Sequence, residues 1–297
     1  MIPVIAVLGP TAVGKSEMAV RLAETMNGEI INADSMQVYK YLRIGTAAPP
    51  PAMFKRCPHH LFHVLELEQR PDAAWYAGQA ADVIRQVYER GHIPIVTGGT
   101  FFWVKTLFEG IARIPDAPRL APETFDDPYT ELQRVDPVLA DKLHPSDTQR
   151  IMRGLDVYYA TKRPMSEFHA QGNQMFGDFR PIRIWLDMER AMLYRRINLR
   201  LDEMIKEGLV EEVKNFLDKG MAPDIPPFLS GGYKYVVKYC QGLIPLDEMK
   251  EKTAQEHRNY ARRQLIWLRR ELQQGKLVQV PAQDSALLNL AKDFIRD

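Results

Sequence analysis

Cysteine is scarce in this chain. Cys57 and Cys240 are the only two in 297 residues, and they lie far apart. Two distant thiols build neither a disulfide framework nor a metal motif, so a reducing, cytoplasmic setting is expected. Long apolar runs are also missing. No stretch approaches the roughly 20 residues a membrane span needs, which excludes a helical membrane anchor. The opening "MIPVIAVLG" has no basic segment ahead of its apolar run, and so reads as a buried strand rather than a signal peptide. Charge of one sign is lacking overall, the net value being +1. Global charge therefore predicts no nucleic-acid partner. No internal repeat or low-complexity tract interrupts the sequence. His59 and His60 are adjacent, point in different directions and have no carboxylate at ligand spacing, which argues against zinc.

Hydrophobic residues make up 45% of the chain, enough for a substantial core. The length allows one large or two modest domains, at about 100–200 residues each. Charge is uneven along the chain. Residues 116–136 hold six acids against Arg119 and Arg134. Residues 256–270 hold five arginines against Glu256. The second stretch is either a solvated helix face or a local contact for a polyanion.

"GPTAVGKS", Gly9 to Ser16, fits G-x-x-x-x-G-K-[ST]. It follows the apolar "PVIAVLG" and precedes "SEMAVRLAETM", whose apolar residues recur at helical spacing. Across Gly9, Pro10, Thr11, Ala12, Val13 and Gly14 the backbone can curl so that its N–H groups converge on phosphate oxygens. Lys15 adds a point charge, Ser16 offers a hydroxyl to Mg²⁺, and the helix start adds its positive end. Further strands are expected in "GEIINAD", "HIPIVTGG" and "FRPIRIWLDM". Helices are expected in "DAAWYAGQAADVIRQVYERG", "TFFWVKTLFEG", around 129–142 and 146–160, and from Glu189 to Glu207. Alternating strands and helices predict an α/β fold with a doubly wound parallel sheet of the P-loop NTPase kind. Its ligand would sit at the carboxyl ends of the strands, where the loop, Asp34 and Thr100 all fall. From residue 116 prolines and acids change the texture. The expected division is a first core segment 1–115, a helical insertion 116–180, and a return to the core with a basic helical region at 181–297.

One part of ordinary nucleotide-hydrolysing equipment is missing. "IPIVTGGT" ends in Thr97, Gly98, Gly99 and Thr100, with no acid to hold Mg²⁺. Asp34 closes the earlier strand instead. The two glycines are expected to let a substrate come close to the backbone. Taken singly, Asp34 or Thr100 could be no more than a helix cap.

Beyond the loop, the stretches "EIINADSMQVY", "IGTAAP", "PHHL", "GHIPIVTGGT", "VDPVLADKLHPSDTQRIMRGLDVYYATKRPMSE", "RINLRLDEMIKEGLVEEV", "GGYK" and "ARRQLIWLRR" occur in order over most of the chain. With them the sequence resembles the bacterial tRNA dimethylallyltransferase (tRNA isopentenyltransferase) family. The resemblance implies transfer of a dimethylallyl group from dimethylallyl diphosphate to N6 of the adenine just 3′ of a tRNA anticodon. It implies that Asp34 is the base, that Thr100 helps position the adenine, and that Gly9 to Ser16 with Arg200 hold the diphosphate, Mg²⁺ sitting on Ser16. Arg196, one helical turn from Arg200, would share its face. The implied tRNA contacts are Asp34, Ser35, Met36, Gln37, Thr100, Gln149, Arg150, Ile151, Met152, Arg153, Gly232, Tyr233 and Lys234. Arg258, Arg262 and Arg263 would meet phosphates. A monomer is expected. Trp267 is expected in the core rather than as a stacking platform.

The pattern departs from the family in places. "FFW", Phe101 to Trp103, replaces small or aliphatic residues followed by Leu-Tyr, and either narrows the prenyl tunnel or repacks a helix. His63 stands where an aspartate is usual. Leu229 replaces an arginine, and His257 and Ile266 replace threonines. The segment after Pro115 is short, with Arg119 the candidate for its tRNA-contacting arginine. Two other readings stay open. A P-loop small-molecule kinase also carries an acid after its second strand, but usually has an arginine-rich lid not evident here. A non-catalytic tRNA-binding relative would fit the departures.

Overall fold

A computed structural model of the chain describes residues 1–282 and 286–296. The chain forms two compact units, one of residues 1–108 with 177–297 and one of residues 109–176. The expected insertion began at 116 and ended at 180. The observed unit starts earlier because a short ladder beyond residue 109 belongs to it. It ends earlier because the strand from Phe179 belongs to the main sheet.

In the first unit β1 (Ile2–Leu8) is buried from Val4 onward. A nearly continuous apolar run is what a strand covered on both faces requires. The phosphate loop follows, then α1 (Lys15–Met26), which buries Met18, Ala19, Val20, Leu22 and Ala23. β2 (Gly28–Asn32) is wholly buried. Next come the short α2 (Pro51–Phe54), the two-residue β3 (His59–His60) and α3 (Ala73–Glu89). Asp72 caps α3 by accepting the Trp75 N–H. β4 (Ile93–Gly98) and α4 (Phe101–Glu109) complete this segment.

The second unit opens with β5 (Ile111–Ala112) and continues through α5 (Pro128–Val135), α6 (Pro137–Ala140), α7 (Thr148–Thr161) and α8 (Met165–Ala170) to β6 (Asn173–Gln174). β5 and β6 pair antiparallel. Leu132, Leu139, Ile151, Met152 and Leu155 form its core. Asp136 is fully buried there. Its carboxylate accepts the N–H groups of Leu139 at 3.0 Å and Ser166 at 2.9 Å, joining two helix starts.

The chain returns to the first unit as β7 (Phe179–Asp187), α9 (Arg190–Lys206), α10 (Leu209–Asp218), α11 (Tyr233–Cys240), α12 (Leu246–Gln273), β8 (Val278–Pro281) and α13 (Ala286–Arg296). The main sheet has six strands in the order β3-β2-β4-β1-β7-β8, and every pair is parallel. All carboxyl ends therefore face one edge. The chain crosses to either side of β1, so the loop after it lies where the strand order reverses, the usual ligand position in such sheets.

Glu29, at the opposite end of β2, has 2% of its surface exposed. It bonds Arg90 Nη2 at 2.7 Å, His92 Nδ1 at 2.6 Å and His60 Nε2 at 2.5 Å. Burial alone would raise its carboxyl, but these three partners outweigh it and hold it at about 2. His60 is thus a partner for a buried acid, while His59 Nδ1 bonds the Cys57 carbonyl oxygen. Neither is arranged as a metal ligand, and the described residues contain no group of three His, Cys, Asp or Glu that could hold a metal ion. No helix among them is long and apolar enough to cross a membrane.

Candidate active site

The loop after β1 adopts left-handed backbone at two places, Ala12 with φ 65° and Gly14 with φ 107°. Such turns aim successive N–H groups inward, which creates an anion cradle. Gly9 allows the loop to pass β7, since a Cβ there would lie 2.9 Å from the Leu186 carbonyl oxygen. Pro10 and Val13 are buried beneath the loop, while Thr11, Ala12, Gly14, Lys15 and Ser16 line a cavity of about 500 Å³. Asp34, Gln37, Arg196 and Arg200 line the same cavity.

Its cations have no carboxylate partner. Lys15 Nζ donates to the Pro10 carbonyl at 2.8 Å, and Arg200 Nη2 to the Ala47 carbonyl at 3.0 Å. Among the described residues neither these two nor Arg196 forms an ion pair. Burial pushes the Lys15 ammonium down to about 8, opposed by Asp34 and reinforced by the charge of Arg200. Burial likewise lowers the Arg200 guanidinium. Three cations without a direct ion pair, on the wall beside an N–H cradle, make an arrangement that suits an anion.

A second cavity of about 260 Å³ shares Thr11, Ala12, Asp34, Thr46, Ala47 and Arg200 with the first. It adds Ser35, Met36, Gly232, Tyr233, His257 and Tyr260, among others. Asp34 stands on the wall common to both. One of its oxygens accepts the Met36 N–H at 2.9 Å, which fixes the carboxylate in a tight turn. No helix starts there, so capping does not explain Asp34. Thr100 lines neither cavity. Its carbonyl caps α4 by accepting the Trp103 N–H at 3.0 Å, while its hydroxyl accepts the Ser35 N–H at 2.9 Å and contacts Ser35 Oγ at 3.2 Å. Thr100 thereby sets the loop that carries Asp34 and Ser35.

Gly98 and Gly99 serve the protein itself. A Cβ at Gly98 would come within 2.2 Å of the Ala33 backbone, and one at Gly99 within 2.3 Å of Gln264 Nε2. Gly98 also lines the larger cavity, so beside the expected substrate approach both glycines accommodate the chain itself, at β2's end and at α12. Gln264, absent from the sequence reading, accepts the Thr11 N–H at 2.8 Å and donates to the Gly99 carbonyl at 2.9 Å. Glu212 was also missed. Its carboxylate accepts the N–H groups of Arg43, Ile44 and Gly45 at 2.8, 2.9 and 3.2 Å, and the Tyr233 hydroxyl at 2.6 Å. Neither residue carries a local motif, and only spatial neighbours reveal them.

The other expected tRNA contacts divide. Lys234 pairs with Glu256 at 3.2 Å. Gln149, Arg150 and Arg153 lie on α7 in the second unit. Arg150 is exposed beside Asp147, and Arg153 Nη2 bonds the Pro115 carbonyl at 3.1 Å. Ile151 and Met152 do not present their side chains, being 1% and 8% exposed in that unit's core. Helical periodicity turns them inward between the polar positions. "FFW" repacks a helix. Trp103 stacks on Tyr76 at 4.5 Å, Phe101 stacks on Trp267 at 4.6 Å, and Phe102 is exposed.

A parallel six-stranded sheet with a glycine-rich loop after β1, and cations and a carboxylate lining the cavities beside it, is a P-loop NTPase-like α/β fold. The IPP transferase family model matches residues 37–271, and the isopentenyl transferase model matches residues 2–61. The chain belongs to the IPP transferase family. It is 41% identical over 295 residues to a tRNA dimethylallyltransferase of Geobacter sulfurreducens, covering 96% of this chain and 94% of that one. It is 39% identical over 277 residues to one of Syntrophobacter fumaroxidans, covering 90% and 81%. Among solved structures, the full-length tRNA isopentenylpyrophosphate transferase from Bacillus halodurans superposes with a TM-score of 0.73 at 28% identity, covering 100% of this chain and 97% of that chain. A eukaryotic dimethylallyltransferase acting on tRNA gives 0.84 at 27% identity, covering 100% and 80%.

Proposed function

We propose that the chain transfers a dimethylallyl group from dimethylallyl diphosphate to N6 of the adenine 3′ of a tRNA anticodon, acting as a cytoplasmic monomer on the anticodon stem-loop. The observation that carries this reading is the pair of cavities meeting at Asp34, one walled by unpaired cations and the other by aromatic rings. The allylic carbon–oxygen bond breaks, its electron pair leaves with the diphosphate, and the carbon bonds N6. The adenine amine is a poor nucleophile because its lone pair is conjugated with the ring. It loses a proton to Asp34 as it attacks. Lys15, Arg196, Arg200 and the loop N–H groups stabilise the charge growing on the leaving diphosphate. Ser16 lines the cavity, and its hydroxyl, with no hydrogen-bond partner among the described residues, is an oxygen ligand that suits Mg²⁺. When bound there, Mg²⁺ would neutralise diphosphate charge. The adenine leaves its stack to reach Asp34, while Gln149, Arg150 and Arg153 bind the RNA.

Incubation with dimethylallyl diphosphate, Mg²⁺ and unmodified tRNA, followed by nucleoside analysis, tests the reading. N6-isopentenyladenosine is the expected product. Bound tRNA without product at saturating donor would overturn transfer and leave a binding protein. Turnover of ATP with phosphoryl transfer would point to a kinase.

A further inference from the structure

The smaller cavity contains an imidazole to which no role has been given. His257, on α12, lines it half-buried, and neither ring nitrogen has a hydrogen-bond partner among the described residues. The ring packs over Gly232, where a Cβ would lie 2.9 Å from its Nε2. The other polar side chains on that wall are engaged. Tyr233 donates to Glu212 at 2.6 Å, and Tyr260 to the Gly99 carbonyl at 3.0 Å. Glu256 is held between Lys234 and Arg263, at 3.2 Å from each. Arg200 donates to Ala47, Ser230 to Pro226 at 3.3 Å, and Thr46 to Leu42 at 3.0 Å. Thr11 has an unengaged hydroxyl, but its N–H is tied to Gln264 and keeps it in the phosphate loop. Ser35 Oγ accepts the Thr100 hydroxyl at 3.2 Å; beside the Thr11 and Ser35 hydroxyls, the second oxygen of Asp34 and the His257 ring are groups of this lining with no hydrogen-bond partner among the described residues.

Lining one cavity, the pair offers an acceptor and a donor, the two functions that one edge of adenine takes up. In adenine the N6 amine lies between two acceptors, N1 and N7. A carboxylate that accepts from N6, with an N–H that donates to the neighbouring nitrogen, gives two-point recognition. Guanine presents an oxygen where adenine has its amine, and would face Asp34 with a second acceptor. We infer that His257 is a specificity-determining residue of the transfer reaction, donating an imidazole N–H to the ring nitrogen beside the reacting amine. The inference rests on the transfer reading above. The imidazole stays neutral, because burial, reinforced by Arg200 and opposed by Glu256, lowers it to about 4. A neutral ring supplies one donor without adding charge beside Arg200.

The test uses anticodon stem-loop RNAs carrying adenosine, 1-deazaadenosine or 7-deazaadenosine at the target position, with wild type, His257→Ala and His257→Gln. Wild type should lose about ten-fold in kcat/KM on one deaza RNA, the effect of one lost hydrogen bond. His257→Ala should lose a similar factor on the natural RNA and nothing further on that deaza RNA, with KM for dimethylallyl diphosphate unchanged. Equal deaza losses in wild type and variant would overturn the inference, as would a wild type indifferent to both analogues. The latter result needs no variant to fold. Wild type making no product from the natural RNA would instead sink the transfer reading itself.

Discussion

Gln264 accepts the Thr11 N–H at 2.8 Å, so a residue 253 positions along the chain holds the tip of the phosphate loop. Its Nε2 donates at the same time to Gly99, which ties the loop to the end of β4. Gln264→Leu should leave the Thr11 amide and the Gly99 carbonyl each without this partner. A loss of about 1–3 kcal/mol in stability is expected, as for a buried group left unsatisfied. Diphosphate affinity should fall with it. Chemical denaturation and isothermal titration with inorganic diphosphate read the two effects, and unchanged values in both would contradict the bracing role.

Asp34→Ala should lower kcat by about 10²–10⁴, the range for removal of a general base. Diphosphate binding should change little, because the cradle is built from Lys15, Arg200 and the loop backbone. Titration beside single-turnover transfer separates the two. Equal loss of both would make Asp34 part of the cradle instead of the base.

Lys15 sets a pH limit on the cradle. Its ammonium is held at about 8, so the charged form that attracts diphosphate declines above that pH. Affinity for the donor should weaken as pH rises from 7 to 9. Lys15→Arg should flatten this decline, since arginine keeps its charge. The same lowering has a stability consequence of the opposite sense. Between about 8 and 10.5 the unfolded chain binds more protons at this group than the folded one, so the ligand-free fold gains stability as pH rises. Denaturation of Lys15→Met should lack that gain.

Glu29 adds a pH dependence of the same sign in the acid range. Its carboxyl is held at about 2 against an ordinary 4.5, so its contribution is complete above 4.5 and is lost as pH falls through 2. Glu29→Gln should cost about 1–3 kcal/mol at pH 7, less than a fully buried pair because Arg90 is half exposed. It should also flatten the acid limb of a thermal-melting profile. Activity of the folded variant should be intact, since the cluster lies at the opposite end of β2 from the cradle.

Arg150→Ala and Arg153→Ala should weaken tRNA binding evenly across sequences. Each lost phosphate contact should reduce the slope of log K against log salt by roughly 0.7–0.9. Ile151→Ala should act differently, through the core of the second unit, at about 2–5 kcal/mol of stability. Filter binding across a salt series and denaturation distinguish the two classes.

Local signals explain what could be read in the sequence. β1, its loop and α1 are contiguous, so an apolar run, fixed glycines and a 3.6-residue period marked them together. β3 was not readable, because two residues carry no period and His59–His60 become a strand only by pairing with Ile30 and Ile31. The cradle and Asp34 were legible as motifs. Gln264 and Glu212 were not, since their roles depend on partners 253 and about 170 positions away. The resemblance implies the whole run Gln149 to Arg153, whereas a helix sorts neighbours onto different faces and turns Ile151 and Met152 into the core. Gly98 lines the larger cavity as expected of a position that admits a ligand, but the close approach of Ala33 and Gln264 to Gly98 and Gly99 has no local signal.

Glu212 gathers the loop at Arg43 to Gly45 and the Tyr233 hydroxyl onto one carboxylate, while lining neither cavity. A mutational scan scored on activity would rank this position beside the cradle residues, and a map drawn from ligand contacts would omit it. Gly45 would also score as sensitive, since any side chain there displaces the Tyr233 ring, 2.4 Å from its Cβ position, but Gly45 lines the smaller cavity and a contact map would keep it. Sensitivity to substitution and proximity to chemistry thus diverge in this enzyme, and they diverge at a predictable place.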